Sequence, residues 1–460
     1  MASPNGSLVT QLVREIRGRI AARELAPGTK LASIRAQAAA RRVSKTTVVE
    51  AYDRLAAEGI IESRRGAGFY VAGHPPPFTL AEAGPRLDRE VDPLWVSRQS
   101  LEMPEDALKP GCGWLPPSWL PEAALRRALR TVARGSAGAL IDYGSPPGLA
   151  KLREHLARRL NGFGVPTAPR QILLTDSGTQ AVDLLCRFML EPGDAVLVDD
   201  PCYFNFRALL RAHRARVVSV PYTPTGPDIA AFAQVLEKHK PRLYITNCGV
   251  HNPTGAYLSP VTAHRVLKLA EQHGVTIIED DIFADFEAEP SARLAAFDGL
   301  ERVVQIGSFS KTVSASLRCG YIAAKTDWIE GLTNLKIACT FSSGQLSAEL
   351  LLAVLQDGSS RRHVETLRAR LADAMSQANT RLRGVGLVPW VMPRAGMYLW
   401  CELPEGLDAA DIARHALEEN IVLAPGNVFS PAQTAGRFLR FNVAQCANLR
   451  IFEFLQRAVR

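Results

Sequence analysis

Between residues 171 and 307 the chain alternates short apolar runs with helical stretches. "QILLT" leads to a helix from Gln180. Then come "AVLVDD", "RVVSV", "RLYIT", a helix over 260–273, "VTIIED" and "RVVQIG". Alternation on this scale predicts an α/β fold with a mainly parallel sheet and helical crossovers. From about residue 370 the pattern changes to that of a smaller α+β unit. No internal repeat is visible.

The first 74 residues have a different grain. Leu8, Leu12, Ile16 and Ile20 recur every fourth position, with Val9 and Val13 beside them, which predicts an amphipathic helix. Pro27 and Gly28 break it. Ser33 is placed to cap a second helix through "IRAQAAARR". Ser44 is placed to cap a third, whose buried stripe is Val48, Val49, Tyr52 and Leu55 and whose end is Gly59. "IIES" and "FYVAG" read as two strands around the turn "RRGAG". Three short helices and a β-ribbon make a winged helix-turn-helix. Its third helix presents Ser44, Lys45, Thr46 and Thr47 to a major groove. Arg35 reaches phosphate or a guanine edge, and the wing carries Arg64 and Arg65, with Gly68 allowing close backbone approach.

Charge points the same way. Residues 1–74 hold twelve basic and six acidic side chains, so six of the chain's net +8 lie there. A solvated basic face would explain that charge alone; motif and charge together point to double-stranded DNA. Residues 75–94, "PPPFTLAEAGPRLDREVDPL", are rich in proline and charge and read as a linker. The chain of 460 residues is therefore divided into 1–74, 75–94 and 95–460. No apolar run reaches about 18 residues, so no membrane span is expected. The N-terminus has no signal-peptide pattern, and the eight cysteines are scattered without metal spacing. A cytoplasmic protein without a metal is expected.

In the large segment, "IGSFSKTVSASLRCGYI" puts Lys311 just after an apolar strand, where α/β folds place ligands. A partly desolvated lysine can form a Schiff base. Ser308 and Arg318 can hold a phosphate, as can the backbone N–H groups of Gly178, Thr179 and Gln180 at a helix start. Tyr203 can stack on a flat ring. Asn252, in "HNPTG", can bond a phenolic oxygen. Asp280 can pair with a pyridine nitrogen, and an inward Arg440 can clamp a carboxylate. Taken singly, each has an ordinary structural explanation; their joint order predicts a site for pyridoxal 5′-phosphate (PLP).

Two resemblances follow from these motifs. "PGTKLASIRAQAAARRVSKTTVVEAYDRLAAEGIIESRRGAGFYV" resembles the DNA-binding domain of GntR-type bacterial regulators, with Ala32 where proline is usual and Gln37 where leucine is usual, both read as packing positions. Residues 95–460 resemble the fold-type I aminotransferases. That resemblance makes Lys311 the aldimine lysine, Asp280 the pyridine partner, Asn252 the partner of the 3′-oxygen and Tyr203 the stacking ring. It gives the phosphate to Ser308 and Arg318 and the α-carboxylate to Arg440. It also implies a homodimer with shared sites, Tyr143 of "YGSPPGLAKLREHLA" reaching the neighbouring subunit's phosphate. The family's tyrosine two or three positions after the aspartate is absent; Ile282 and Phe283 stand there, which argues against efficient transamination.

A winged helix joined to an aminotransferase-like domain resembles the MocR subgroup of GntR regulators. That implies a PLP-dependent transcriptional regulator that senses an amino acid, an amine or PLP itself through Lys311. The alternatives are an active transaminase carrying an accessory DNA-binding domain, and a DNA-binding protein whose second domain is only a scaffold.

Overall fold

The computed structural model describes residues 8–21, 24–26, 28–64, 67–72, 93–104, 106–135 and 137–459. The chain divides into two compact units, Met1–Arg86 and Leu87–Arg460. Nearly all of the expected 75–94 linker lies outside the described residues, as does Arg65.

The first unit has helices α1 (Leu8–Ala21), α2 (Ile34–Arg41) and α3 (Lys45–Ala57), then strands β1 (Ile61–Arg64) and β2 (Gly68–Val71). Both expected caps are present: Ser33 Oγ accepts from Ala36 N at 3.2 Å and Ser44 Oγ from Thr47 N at 3.0 Å. Two expectations about the core need correction. Leu8 is 57% exposed, and the buried face of α1 is Val9, Leu12, Val13 and Ile16. A strict four-residue step drifts about 40° per repeat on a helix of 3.6 residues per turn, so the stripe cannot stay inward over four repeats. Val49, about 100° from Val48, is exposed, and Ala51 takes the buried place. Ala32 is exposed, so it is no packing position; its carbonyl accepts from the buried Tyr52 hydroxyl at 2.8 Å. Gln37 is half-buried. β1 and β2 pair antiparallel from Ile61↔Val71 to Arg64↔Gly68. Gly68 has φ +106°, a backbone that side-chain-bearing residues rarely adopt, and this fixes glycine at the wing's return.

The second unit begins with α4 (Pro93–Glu102), α5 (Glu122–Ala133), α6 (Gly138–Ile141) and α7 (Ala150–Gly162). The alternating region follows: β3 (Ile172–Thr175), α8 (Gly178–Met189), β4 (Ala195–Asp200), α9 (Phe204–Ala212), β5 (Arg216–Thr223), β6 (Gly226–Pro227), α10 (Ile229–His239), β7 (Leu243–Thr246), α11 (Pro260–His273), β8 (Thr276–Asp280), α12 (Leu294–Asp298), β9 (Val303–Ser308) and β10 (Gly320–Ala323). The sheet order is β3-β10-β9-β8-β7-β4-β5-β6. β9, β8, β7, β4 and β5 run parallel, as expected. β10 runs antiparallel to both β9 and β3, a reversal the apolar pattern did not reveal. Alternate residues serve opposite faces: Leu197, Tyr244 and Ile277 enter one core, and Val196, Val198, Ile245 and Ile278 the other. A sheet covered on both sides explains why its strands read as continuous apolar runs.

Two helices then return to those cores, α13 (Thr326–Thr340) through Ile329 and Leu332, and α14 (Gln345–Gln356) through Ala348 and Leu351. Helix α15 (Ser360–Gly384) leads into the smaller α+β part: β11 (Val388–Pro389), β12 (Tyr398–Glu402), α16 (Ala409–Glu418), β13 (Ala424–Pro425), β14 (Phe438–Asn442) and α17 (Arg450–Ala458). Its sheet order is β11-β12-β14-β13, and α15 starts ten residues before the boundary read from sequence. Residues after α4 join this sheet: Leu108 bridges Ile421, and Gly111 N donates to Val422 O at 2.8 Å. Among the described residues no helix is long and apolar enough to cross a membrane.

Candidate functional site

The carboxyl ends of β8 and β9 and the residues after β4 converge with the start of α8 around a cavity of about 500 Å³. That end of a parallel sheet is where ligands of open α/β folds bind. Gly178, Thr179, Tyr203, Asp280, Ser308, Lys311 and Arg318 all line it. A smaller cavity of about 90 Å³ adjoins, lined by Tyr203, Asn252, Phe283, Lys311, Tyr398 and Arg440 among others. Lys311 and Tyr203 belong to both, so the two cavities form one site with two compartments.

Burial sets the chemistry at the centre. Lys311 Nζ donates to Gly113 O at 2.5 Å, and burial, followed by the positive charge of Arg440, pulls its pKa down to about 8. Asp280 is buried at the end of β8, and its Oδ1 accepts from Ile282 N at 3.2 Å. Burial pushes its carboxyl up to about 7 against the opposing pull of the Ile282 N–H, the Asn247 side chain and Lys311, and among the described residues it forms no ion pair. Its neighbour Asp281 faces the other way. It pairs with buried Arg293 at 2.7 Å and accepts from Gln305 at 2.8 Å. Arg159 pairs with Asp285, which accepts from Thr312, the residue after Lys311, at 2.9 Å, so a charged pair braces the loop that carries the lysine.

In the smaller compartment Arg440 is 1% exposed and has no carboxylate partner among the described residues. It donates to Asn252 Oδ1 at 2.9 Å and to Gly111 O at 2.8 Å, and its Nε has no partner there. Its guanidinium lies over the rings of Tyr398, at 4.3 Å, and Phe429, at 4.6 Å. A buried arginine surrounded by neutral acceptors is a prepared anion site. With Asn252 Oδ1 taken by Arg440, the amide nitrogen is the end left to donate toward the cavity. Phe283 is 2% exposed and meets Tyr398 edge-on at 5.7 Å. Burial pushes the Tyr203 hydroxyl up to about 12.

The structure does not bring together every residue expected here. Gln180 is outside the cavity lining. Its N–H donates to the Ser177 cap at 3.0 Å, and its side chain bonds Asp176. The helix start therefore offers the cavity the N–H groups of Gly178 and Thr179, two donors and not three. Tyr143 is 85% exposed and lies against Phe341 at 5.6 Å, away from this chain's own cavity lining. Ser310 also lines the cavity and pairs with Ser308 at 2.9 Å. Its place just before Lys311 is the local signal that could mark it. Ser100, Leu101, Lys109 and Trp114 line the cavity too, and no motif marked them.

These residues fit PLP. N–H groups, two serine hydroxyls and Arg318 at one end suit a phosphate. A buried carboxylate lacking a cation suits a protonated ring nitrogen. A lysine with a lowered pKa suits an aldehyde.

On the first unit, Lys45 and Thr46 are exposed at the start of α3, and Arg35 is exposed at the start of α2. Ser44 and Thr47 spend their hydroxyls on each other, 2.8 Å apart, and on the cap. Arg64 is engaged within the wing: it donates to Glu62 at 2.6 Å and lies over the Tyr70 ring at 4.5 Å. Its side chain stays 54% exposed.

Comparison with known proteins agrees with both units. Residues 116–457 match the family Aminotransferase class I and II, and residues 8–71 match Bacterial regulatory proteins, gntR family. The uncharacterized HTH-type transcriptional regulator YdcR of Escherichia coli (strain K12) is 31% identical over 450 residues, which is 94% of each chain. The 2-aminoadipate transaminase of Thermus thermophilus is 30% identical over 353 residues, 75% of this chain and 87% of that one. The crystal structure of LysN, the alpha-aminoadipate aminotransferase of Thermus thermophilus complexed with N-(5′-phosphopyridoxyl)-L-leucine, superposes with a TM-score of 0.72. It is 25% identical, and the match covers 83% of this chain and 98% of that one. With a DNA-binding unit and a PLP-type aminotransferase fold in one polypeptide, the chain belongs to the MocR type of gntR-family transcriptional regulators.

Proposed function

We propose that this regulator senses an α-amino acid in its PLP site and passes the result to DNA as a homodimer. The observation that carries the reading is the pairing of a low-pKa lysine, Lys311, with a buried arginine that lacks a counter-ion among the described residues, Arg440. Bound PLP supplies an aldehyde that reacts with amines and a ring that accepts electrons. The protein's part is placement. Gly178, Thr179, Ser308, Ser310 and Arg318 hold the phosphate, Asp280 holds a proton at the ring nitrogen, and Asn252 donates to the 3′-oxygen. Tyr203 packs on the ring. Arg440 receives the α-carboxylate, which favours an amino acid over an amine lacking that group. PLP itself as signal would use the same residues without Arg440.

DNA contact falls to Lys45 and Thr46 at the start of α3, together with Arg35 at the start of α2. A dimer is supported by the exposed apolar group Leu140, Ile141, Tyr143 and Phe341, which water disfavours. In that dimer Tyr143 reaches the partner's phosphate. Sedimentation of a monomer at micromolar concentration would contradict it.

Two observations favour the second reading, an active transaminase. Lys311, Asp280, Asn252 and Arg440 all line the two compartments, and a transaminase is among the relatives. Phe283, with no hydroxyl to offer the small compartment, weighs against it. Absorbance of the purified protein, titrated with amino acids and then a keto acid, separates the two. A saturable shift without repeated turnover is expected; sustained turnover would favour the enzyme.

A further inference from the structure

The first described element after residues 73–92 is α4, and α4 is a wall of the ligand site. Val96 anchors it, 2% exposed, in an aromatic cluster with Phe204, Trp400 and Phe429. Ser100 lines both compartments. It is 2% exposed, and its hydroxyl has no hydrogen-bond partner among the described residues. Buried hydroxyls are nearly always paired, and a helical serine usually finds a carbonyl four residues back. An unpaired one facing a cavity points to a ligand that completes it.

The chain leaving α4 crosses to the smaller sheet. Leu108 N donates to Asn420 O at 2.9 Å, and Val422 N returns to Leu108 O at 2.8 Å. On the way its carbonyls hold both functional cations, Gly111 O that of Arg440 and Gly113 O that of Lys311. Lys311 can hold Gly113 only while its nitrogen is not engaged elsewhere. The 96–113 segment thus touches Arg440, which a bound amino acid engages, and Lys311, whose nitrogen it sets free. Along the chain it is also the stretch that follows the expected linker.

We propose that residues 96–113 relay ligand state toward the DNA-binding unit, with Ser100 hydrogen-bonding the bound amino acid and the Gly111 and Gly113 carbonyls following Arg440 and Lys311. This rests on the sensing reading above and names its route. The test uses the full PLP-loaded chain and each common L-amino acid in turn, read by absorbance, DNA affinity and hydrogen exchange over 93–114. Amino acids that alter the absorbance slow exchange in this segment. Ser100→Ala keeps the melting temperature, because its hydroxyl had no partner, and weakens those amino acids roughly 2- to 12-fold, the loss of one hydrogen bond. The midpoint of the DNA response moves by the same factor. Suppose the wild type responds in absorbance and DNA affinity while exchange over 93–114 stays unchanged and Ser100→Ala behaves as wild type. The relay is then overturned and the sensing reading stands. A lowered melting temperature for Ser100→Ala would assign the hydroxyl a structural part and overturn its ligand role. If no amino acid changes absorbance or DNA affinity, sensing and relay fall together.

Discussion

Asp280 and Asp281 are adjacent carboxylates with opposite surroundings. Asp281 has Arg293 and Gln305; Asp280 has the Ile282 N–H and a cavity. Burial raises the Asp280 pKa from 3.8 to about 7, so the folded state holds that proton more tightly than the unfolded state does. The cost of its charge is therefore present above pH 7 and vanishes as pH falls toward 4. Asp280→Asn should stabilise the PLP-free protein at pH 8, by on the order of 4 kcal/mol at most, and have little effect near pH 4. With PLP bound the order reverses, because the ring nitrogen loses its partner. Thermal melts with and without PLP check both signs. Lys311 gives the second prediction at this scale. With its pKa lowered to about 8, it holds roughly 300-fold more neutral amine at pH 7 than an ordinary lysine does. Covalent capture of PLP should rise with pH, with a midpoint near 8, and then level off; a midpoint near 10.5 in stopped-flow absorbance would count against the desolvated site. Both residues were legible in the sequence because each stands at or just past the end of an apolar strand. Ser100 was not, because an unpaired hydroxyl is a property of its tertiary surroundings.

Among the elements, α3 and α8 show what local sequence can and cannot determine. Ser44, Ser33 and their helices were readable because a cap is a local bond. The same logic, applied to Ser177, would have removed Gln180 from the phosphate site, since a capped N–H is no longer free. β10 escaped notice because a four-residue apolar run carries no sign of its direction. The sequence places two arginines on the wing. One lies outside the described residues, and the other is spent on Glu62 and Tyr70. The exposed cations at the helix starts are Arg35 on α2 and Lys45 on α3. Lys45→Ala should weaken binding alike across DNA sequences and lower the slope of log affinity against log salt by about 0.9, one phosphate contact. Arg64→Ala should change that slope less. Fluorescence anisotropy over a salt series reads both, and equal slopes for Lys45→Ala and wild type would remove Lys45 from the interface.

For the whole molecule, the division of labour follows from charge and burial. The small basic unit carries six of the eight net positive charges, and the large unit carries the covered sheet and its cavity. Two functions in one chain matter only if one biases the other, and the coupling must be reciprocal: a ligand that changes DNA affinity has its own affinity changed by DNA. The direct measurement is the affinity of the full chain for a DNA duplex selected from a random pool, followed across amino acid concentration for the wild type and Lys311→Ala. The wild type should change affinity saturably, in step with its absorbance, and Lys311→Ala should stay flat. Identical curves for the two proteins, or none that bends, would contradict the account.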